Sequence, residues 1–429
     1  MSEQQIFSKC ASRLIPFAML LFIVNYVDRT NVGFAALTMN KDLGFSPAVY
    51  GLGASVFFIS YFLFQVPANF LLQRIGARRW MFIIVATWSV ISTANALVQD
   101  TVSFYVLRFL LGVAEAGFFP GMTYYLTRWF PQAYLSRNVA GFQTAMPLSF
   151  VIGGPLASVI LGLDGTFGLH GWQWLFIGEG VPAFLIAFAV LKFLPDGPAD
   201  ASWLSDSEKA LIASRIAAED KTERSAFWPV LRDWRVIGFG VALTGILTGF
   251  YGIGFWIPQI VQGMGFSTRM TGLVVAIPYL TAAVAMVVWG RSSDNRGERL
   301  WHVILPILLA AAGFAVASVV QSDFIVLVAL TCTAVGVLIC LPPYNALLKT
   351  YLSGPAMACG IAVANSIGNI GGFLGPSLIG AVKEATGSYA ASMMVIALGL
   401  MASAVMFFLL GRGVAVQAAS IPPAAPARA

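Results

Sequence analysis

The sequence predicts an all-α membrane protein of twelve transmembrane helices in two six-helix halves, and three observations carry that prediction. Composition is the first: of 429 residues, 58% are hydrophobic and only 10% charged, with a mean hydropathy of +0.81. A soluble domain is roughly half apolar and a quarter charged. The second is a series of apolar windows near the ~20 residues that a helix needs to cross ~30 Å of hydrocarbon. They fall at 14–36, 48–73, 80–98, 102–127, 138–162 and 173–194, then at 236–259, 270–292, 301–320, 323–348, 356–382 and 388–411. The third is an internal repeat at a constant offset of 221 residues. Gly44-Phe45-Ser46 recurs as Gly265-Phe266-Ser267, Gly51-Leu52 as Gly272-Leu273, Gly76, Arg78 and Trp80 as Gly297, Arg299 and Trp301, and Gly154-Pro155 as Gly375-Pro376. That offset is the length of six spans plus a connector, so the halves share one topology, with a ligand path expected between them near the midplane.

In chain order, Lys9 and Arg13 precede a first window that runs past Asp28 without a small-residue cleavage site, so it reads as a retained span. With the N-terminus inside, 20 of the 25 Lys and Arg lie on the cytoplasmic side. Three (Lys41, Arg269, Lys383) lie opposite and two (Arg29, Arg108) within spans. This skew places both termini in the cytoplasm. The expected units are an N-terminal half at 1–194, a cytoplasmic connector at 195–235, a C-terminal half at 236–411 and a disordered tail at 412–429, rich in Ala and Pro. Within the connector, Ser205-Asp-Ser-Glu208 is a capping box opening a short helix with Leu211, Ile212 and Ile216 on one side, expected to tie the halves together.

Several function classes find no support. Cys10, Cys332, Cys340 and Cys359 have no metal or redox spacing, and His170 and His302 fall on opposite sides of the membrane, so no metal, cofactor or membrane-enzyme centre is expected. The basic residues are scattered over short loops rather than gathered in a patch, which argues against a nucleic-acid partner. The run Gly368–Gly375 lacks the Lys-Ser/Thr ending and preceding strand of a phosphate loop, and reads as close helix contact.

The informative residues are ionisable ones inside spans, which are costly there and usually mark a substrate or proton path. Arg108 and Glu115 stand seven residues apart in span four, on one helix face ~10 Å apart. Asp28 and Arg29 stand in span one, within Asn25-Tyr-Val-Asp-Arg29, and Glu179 in span six, within Gly-Glu-Gly-Val-Pro. Counting residues from the outer helix ends puts Asp28, Arg29 and Arg108 at similar depth and Glu115 nearer the midplane. A buried Arg fork suits a carboxylate bidentately and needs an acid such as Asp28 or Glu115 while empty. Asp28 is expected to stay charged beside its neighbour Arg29, which leaves Glu115 as the first-ranked proton carrier. Glu179, beside two glycines and a proline, reads equally as a helix-end hydrogen bonder or a gating residue. The second half has no ionisable group inside its spans and is expected to offer neutral contacts: Tyr251, Asn345, Ser366, and Asn365 with Asn369 on one face of span eleven, joined by Tyr61 and Gln143 from spans two and five.

These features resemble the major facilitator superfamily over essentially the whole chain. Its loop motif Gly-x-x-x-Asp-Arg-x-Gly-x-Arg is matched after span eight by Gly290-Arg-Ser-Ser-Asp294-Asn-Arg296-Gly297-Glu-Arg299. After span two only Gln73-Arg74-Ile-Gly76-Ala-Arg78-Arg79 survives, with Gln73 in place of the Asp. Asn25 to Arg29, Arg108 to Gly121 and Leu194-Pro-Asp-Gly-Pro-Ala-Asp-Ala-Ser-Trp-Leu204 resemble the narrower anion:cation symporter family of tartrate, hexonate, phthalate and hydroxyphenylacetate carriers. The resemblance implies substrate binding and proton coupling at Tyr26, Asp28, Arg29, Arg108 and Glu115, and gating at Arg78, Asp294 and Arg299. The resulting expectation is a monomeric carrier in the bacterial inner membrane that takes up a small organic carboxylate with H⁺ by alternating access. A proton antiporter that exports amphipathic drugs is the alternative, disfavoured by two buried arginines. A membrane enzyme is a more remote one.

Overall fold

The computed structural model describes residues 2–219, 232–352 and 356–419, which are helical apart from short connections. The N-terminal half contains α1 (Glu3–Asp42), α2 (Pro47–Ile75), α3 (Ala77–Ala94), α4 (Thr101–Glu115), α5 (Phe118–Thr127), α6 (Gln132–Gln143), α7 (Ala145–Leu161) and α8 (Gly171–Phe193). The connector carries α9 (Asp206–Glu219). The C-terminal half contains α10 (Trp234–Gly263), α11 (Thr268–Arg296), α12 (Leu300–Val319), α13 (Asp323–Ile339), α14 (Leu341–Tyr351), α15 (Ala356–Gly368), α16 (Ile370–Thr386) and α17 (Tyr389–Ala419). Among the described residues, 11 helical runs are long and apolar enough to cross a membrane. The remaining window, 356–382, is filled by α15 and α16.

Four spans expected to be continuous are bent instead: α4/α5, α6/α7, α13/α14 and α15/α16. Three bends have a proline cause. Pro120, Pro147 and the pair Pro342-Pro343 have no N–H for the carbonyl four residues back, which frees the turn at Ala116, Gln143 and Leu338-Ile339. The fourth, at Asn369, lies among Gly368, Gly371 and Gly372, where backbone stiffness is lowest.

The 221-residue repeat has a local explanation. Gly44 and Gly265 end their helices at φ 67° and 90°, a region that side chains avoid. Ser46 and Ser267 then cap the next helix by accepting from the N–H of Val49 and Met270. The repeat also builds the contact between halves. A Cβ on Gly51 of α2 would lie 2.6 Å from Pro376 O of α16, and one on Gly154 of α7 would lie 2.5 Å from Gly272 O of α11. Backbone can touch backbone at these points because Gly51 meets Pro376 and Gly380, and Gly154 meets Gly272, with no Cβ of its own in the way.

Both glycine contacts lie on the side of the membrane layer away from the chain's N-terminus, the far side. There Glu384 accepts from Ser46 Oγ (2.6 Å) and Ala48 N (2.8 Å), and Tyr50 donates to Phe255 O (2.8 Å). On the opposite, terminal side, α5, α6, α14 and α15 pack chiefly within their own halves, and Lys349 Nζ reaches Ser136 Oγ at 3.5 Å. The far side is closed and the terminal side splayed.

The connector forms the expected capping box, with Ser205 N donating to Glu208 Oε2 (2.9 Å) and Glu208 N to Ser205 Oγ (3.4 Å). Its start docks on the N-terminal half, where Lys9 pairs with Glu208 (2.9 Å), Arg215 with Glu3 (2.5 Å), and Trp203 stacks on Trp129, and its end meets the C-terminal half, where Tyr351 donates to Asp233 Oδ2 (3.2 Å). The bond from Lys9 holds the Glu208 carboxyl below its usual range. The part of the connector at 220–231 lies outside the described residues. At the C-terminus α17 continues through Ala419, beyond the boundary at 412 where a disordered tail was expected, because Val414, Ala415, Val416 and Gln417 contain no helix breaker. Residues 420–429 of that tail lie outside the described residues.

Candidate functional site

The site forms where α1, α2 and α4 meet. Arg29 does not pair with Asp28, its neighbour in sequence. Its Nε and Nη2 donate to Glu115 Oε2 at 3.0 and 2.8 Å, and Nη2 also to Asn25 Oδ1 at 3.2 Å. Three rings surround its guanidinium: Tyr26, Tyr61 and Phe57, at 4.8, 4.9 and 5.1 Å from Cζ to centroid. Such a cage offsets part of the cost of burying a cation.

Arg108 has no such partner. It is 0% exposed, yet Nε, Nη1 and Nη2 all lack a hydrogen bond. Glu115, the acid expected to neutralise it, attracts it without bonding it, because Glu115 at the end of α4 is engaged by Arg29. Phe57 also borders Arg108, whose Cζ is 5.2 Å from the ring centroid. Sharing one ring, the two guanidinium carbons are at most about 10 Å apart. Glu115 Oε1 has no donor either. The cluster therefore holds two cations and one carboxylate, with four N–H-bearing atoms, the three of Arg108 and Asn25 Nδ2, and one oxygen unsatisfied.

Asp28 points the other way. Trp88 Nε1 and Ser92 Oγ of α3 donate to its two oxygens, each at 3.0 Å. Glu179 lies mid-helix in α8, and neither carboxylate oxygen has a donor. The helix-end hydrogen bonding expected for it is absent because Gly178, Gly180 and Pro182 lie within one continuous helix.

Of the other expected residues, Tyr251 reaches the cluster from the second half. It is buried, packs on Phe58 at 4.4 Å and faces Tyr26. Gln143, Asn365, Ser366 and Asn369 are half-buried at the bends of the repeat-related spans five and eleven. Asn345 donates to Leu341 O at 3.1 Å, as a helix-internal bond. The gating candidates sit on the terminal side. Arg299 Nη1 pairs with Asp294 Oδ1 (2.7 Å) and meets Ser293 Oγ (2.9 Å). In the first copy, where Gln73 replaces the Asp, Asp196 of the connector accepts from Arg78 N at 2.9 Å, while the Arg78 guanidinium bonds Leu191 O. Asp196 therefore caps the start of α3, and the Arg78 guanidinium meets a carbonyl where its counterpart Arg299 meets an acid. Sequence reading missed Phe57, Trp88 and Ser92. The last two, four apart on one face of a span, were the available signal.

This arrangement of buried charge in a two-half helical body can be set against known proteins. The Major Facilitator Superfamily signature matches residues 18–376. The chain belongs to that superfamily. A protein of Agrobacterium vitis named "Putative tartrate transporter" is 46% identical over 413 residues, covering 96% of this chain and 92% of that one. A "Quinolone resistance transporter" of Acinetobacter baumannii is 38% identical, covering 91% of each. Among solved structures, a bacterial homologue of the human lysosomal transporter Spinster, in an inward-facing and occupied conformation, superposes with a TM-score of 0.78 at 17% identity, over 94% of this chain and 97% of that one. The last likeness shows the fold. As a superfamily member the chain is a multi-pass membrane transporter and not an enzyme.

Proposed function

We propose that this protein carries a small organic carboxylate anion together with protons, and that Arg108 is its principal anion contact. The observation that supports this most is the guanidinium of Arg108, wholly buried with all three nitrogens unpartnered. A protein keeps an uncompensated buried charge only at considerable cost, and a planar fork beside a caged second arginine suits a carboxylate. The 46% identical relative named as a tartrate transporter supports the same chemistry.

Coupling follows from charge counting. With Glu115 ionised the cluster carries one net positive charge, and Arg29 is occupied. A proton on Glu115 weakens its hold on Arg29 and raises the net charge to two, so a dianion can engage both arginines. Proton and anion then favour each other's binding, which is the thermodynamic content of symport. Tyr26, Tyr61 and, across the interface, Tyr251 close around the anion. Gln143, Asn365, Ser366 and Asn369 supply neutral contacts. With the terminal side in the cytoplasm, as the Lys and Arg skew argues, Glu384, Gly51 and Gly272 form the closed outer gate, the site is buried from the inner side as well, and the Arg299–Asp294 pair serves the inner gate.

A thermal-shift screen of purified protein against tartrate, sugar acids and aromatic acids tests the reading, because a ligand that binds the native state raises apparent stability. Stabilisation by at least one acid, lost in Arg108→Met, is expected. The second reading, export of an amphipathic drug, draws on the quinolone-named relative. Stabilisation by a quinolone and by no simple acid would favour it.

A further inference from the structure

The anion cavity leaves one group of buried polar atoms unused. Asn25 and Arg29, four apart, share the face of α1 turned toward α4, whereas Asp28 and Asn31, three apart, share a face turned toward α3 and α8. There α8 approaches α3 closely, since a Cβ on Gly180 would lie 2.9 Å from Thr93 N and 3.0 Å from Ser89 O. Glu179, the residue beside Gly180, faces Asp28 and Asn31. Glu179 is 6% exposed and Asn31 2%, and all four of their side-chain polar atoms lack a partner. Asp28, by contrast, receives one donor on each oxygen.

Among the described residues, no cation answers these two acids. The Arg29 guanidinium is engaged by Glu115 and Asn25, and the other charged group facing Asp28 is the carboxylate of Glu115. The remaining basic residues of α1, α3 and α8 are Lys9, Arg13, Lys41, Arg78, Arg79 and Lys192, all near helix ends. Two carboxylates in a dry site without a cation cannot both stay ionised. Asp28 receives a donor on each oxygen, whereas Glu179 faces the single amide of Asn31, so the neutral acid is Glu179. A neutral carboxyl also resolves every orphan at once: its O–H donates to Asn31 Oδ1, and Asn31 Nδ2 donates to its carbonyl oxygen.

We propose that Glu179, Asn31 and Asp28 form a proton-binding site inside the N-terminal half, on the side of α1 opposite the anion cavity, with the proton held on Glu179. This site is a second proton store beside Glu115, and α1 links the two, since it carries Arg29 on one face and Asp28 on the other. A change of protonation behind α1 is thereby felt by the residue that binds the anion.

Infrared difference spectroscopy of the purified protein in lipid, titrated with pH in the absence of any organic acid, tests it. Because no substrate is involved, the outcome is independent of which anion is carried. At neutral pH the wild type should show the carbonyl stretch of a neutral carboxylic acid, hydrogen-bonded in position. Glu179→Gln should abolish that band, and Asn31→Leu should shift it to the frequency of an unbonded acid. Asp28→Asn, which removes the neighbouring negative charge, should make it titrate at lower pH. If Glu179→Gln fails to fold, Asn31→Leu in protein labelled with carbon-13 glutamate gives the same assignment. Identical spectra for wild type and Glu179→Gln, or a band that appears only when Na⁺ is withdrawn, would overturn the proposal. The latter result would make the site a sodium site.

Discussion

Replacing Arg108 by methionine should raise the stability of the empty protein while removing its ligand response, an unusual pairing of effects. Burying an ion costs several kcal/mol after relaxation, and Arg108, which makes no hydrogen bond, recovers part of it from the attraction of Glu115 and from its contact with Phe57, 5.2 Å away, the latter worth ~2 kcal/mol when desolvated. Methionine has similar length and no charge, so Arg108→Met should stabilise the empty state by about 1–3 kcal/mol, in the range seen when buried ions are replaced by apolar groups. In the loaded state the loss is two charge-assisted hydrogen bonds at ~1.5–3 kcal/mol each. That is a fall in affinity of about two to four orders of magnitude. Arg108→Lys keeps the charge and loses the fork, so it should retain the cost and lose about half the binding. Denaturant melts of the empty protein in detergent, paired with calorimetric titration of the best acid from the screen, measure both quantities. An Arg108→Met protein that is less stable when empty and binds normally would refute the reasoning and make Arg108 a structural residue.

Three further outcomes follow from the same geometry. Glu115→Gln imitates the protonated acid, so reconstituted vesicles should still exchange labelled substrate across the membrane but lose accumulation driven by a pH gradient; the reverse assignment, with Asp28→Asn losing accumulation and Glu115→Gln keeping it, would move the coupling to Asp28. Gly51→Trp and Gly272→Trp each force a side chain against backbone, Gly51 within 2.6 Å of Pro376 O for the Cβ alone. Overpacking of this kind costs at least ~1–3 kcal/mol, so the far side should open and a cysteine at Gln259 should react with an impermeant maleimide about tenfold faster or more. Glu384 is held below its ordinary value of 4.5 by the bonds from Ser46 and Ala48. Since the value is lowered, its contribution to closure is present above the ordinary value and lost only as pH falls through the lowered one. At neutral pH, where Glu384 is ionised, the same cysteine should therefore react slowly, whereas Glu384→Ala should make it react fast.

Most of the fold was legible in the sequence because hydrocarbon imposes length and apolarity on each span, and because glycine at positive φ and serine at a helix cap leave their marks in both halves. The bends were not: Pro120, Pro147 and Pro342-Pro343 mark three of them, but Pro67, Pro155, Pro182, Pro258, Pro278, Pro306 and Pro376 lie within unbroken helices. The charge pairing was not. Depth was reckoned from Cα positions, but an arginine side chain spans more than a helical turn, so Arg29 reaches Glu115 although the count put it level with Arg108. Adjacency also misled: successive residues on a helix point ~100° apart, so Asp28 and Arg29 face different partners. Asp196, which caps the start of α3 at Arg78 N, lies over a hundred residues away in sequence and could be assigned only from the structure.

The central claim, that this chain moves an organic anion by way of Arg108, is tested most directly by uptake into vesicles containing only the purified protein. With an imposed gradient, acid outside and neutral inside, a labelled acid from the thermal-shift screen should accumulate above its outside concentration. A protonophore should collapse that accumulation, and Arg108→Met should abolish it. Vesicles that accumulate no organic acid under any gradient, yet move a cationic drug against its concentration, would contradict the account.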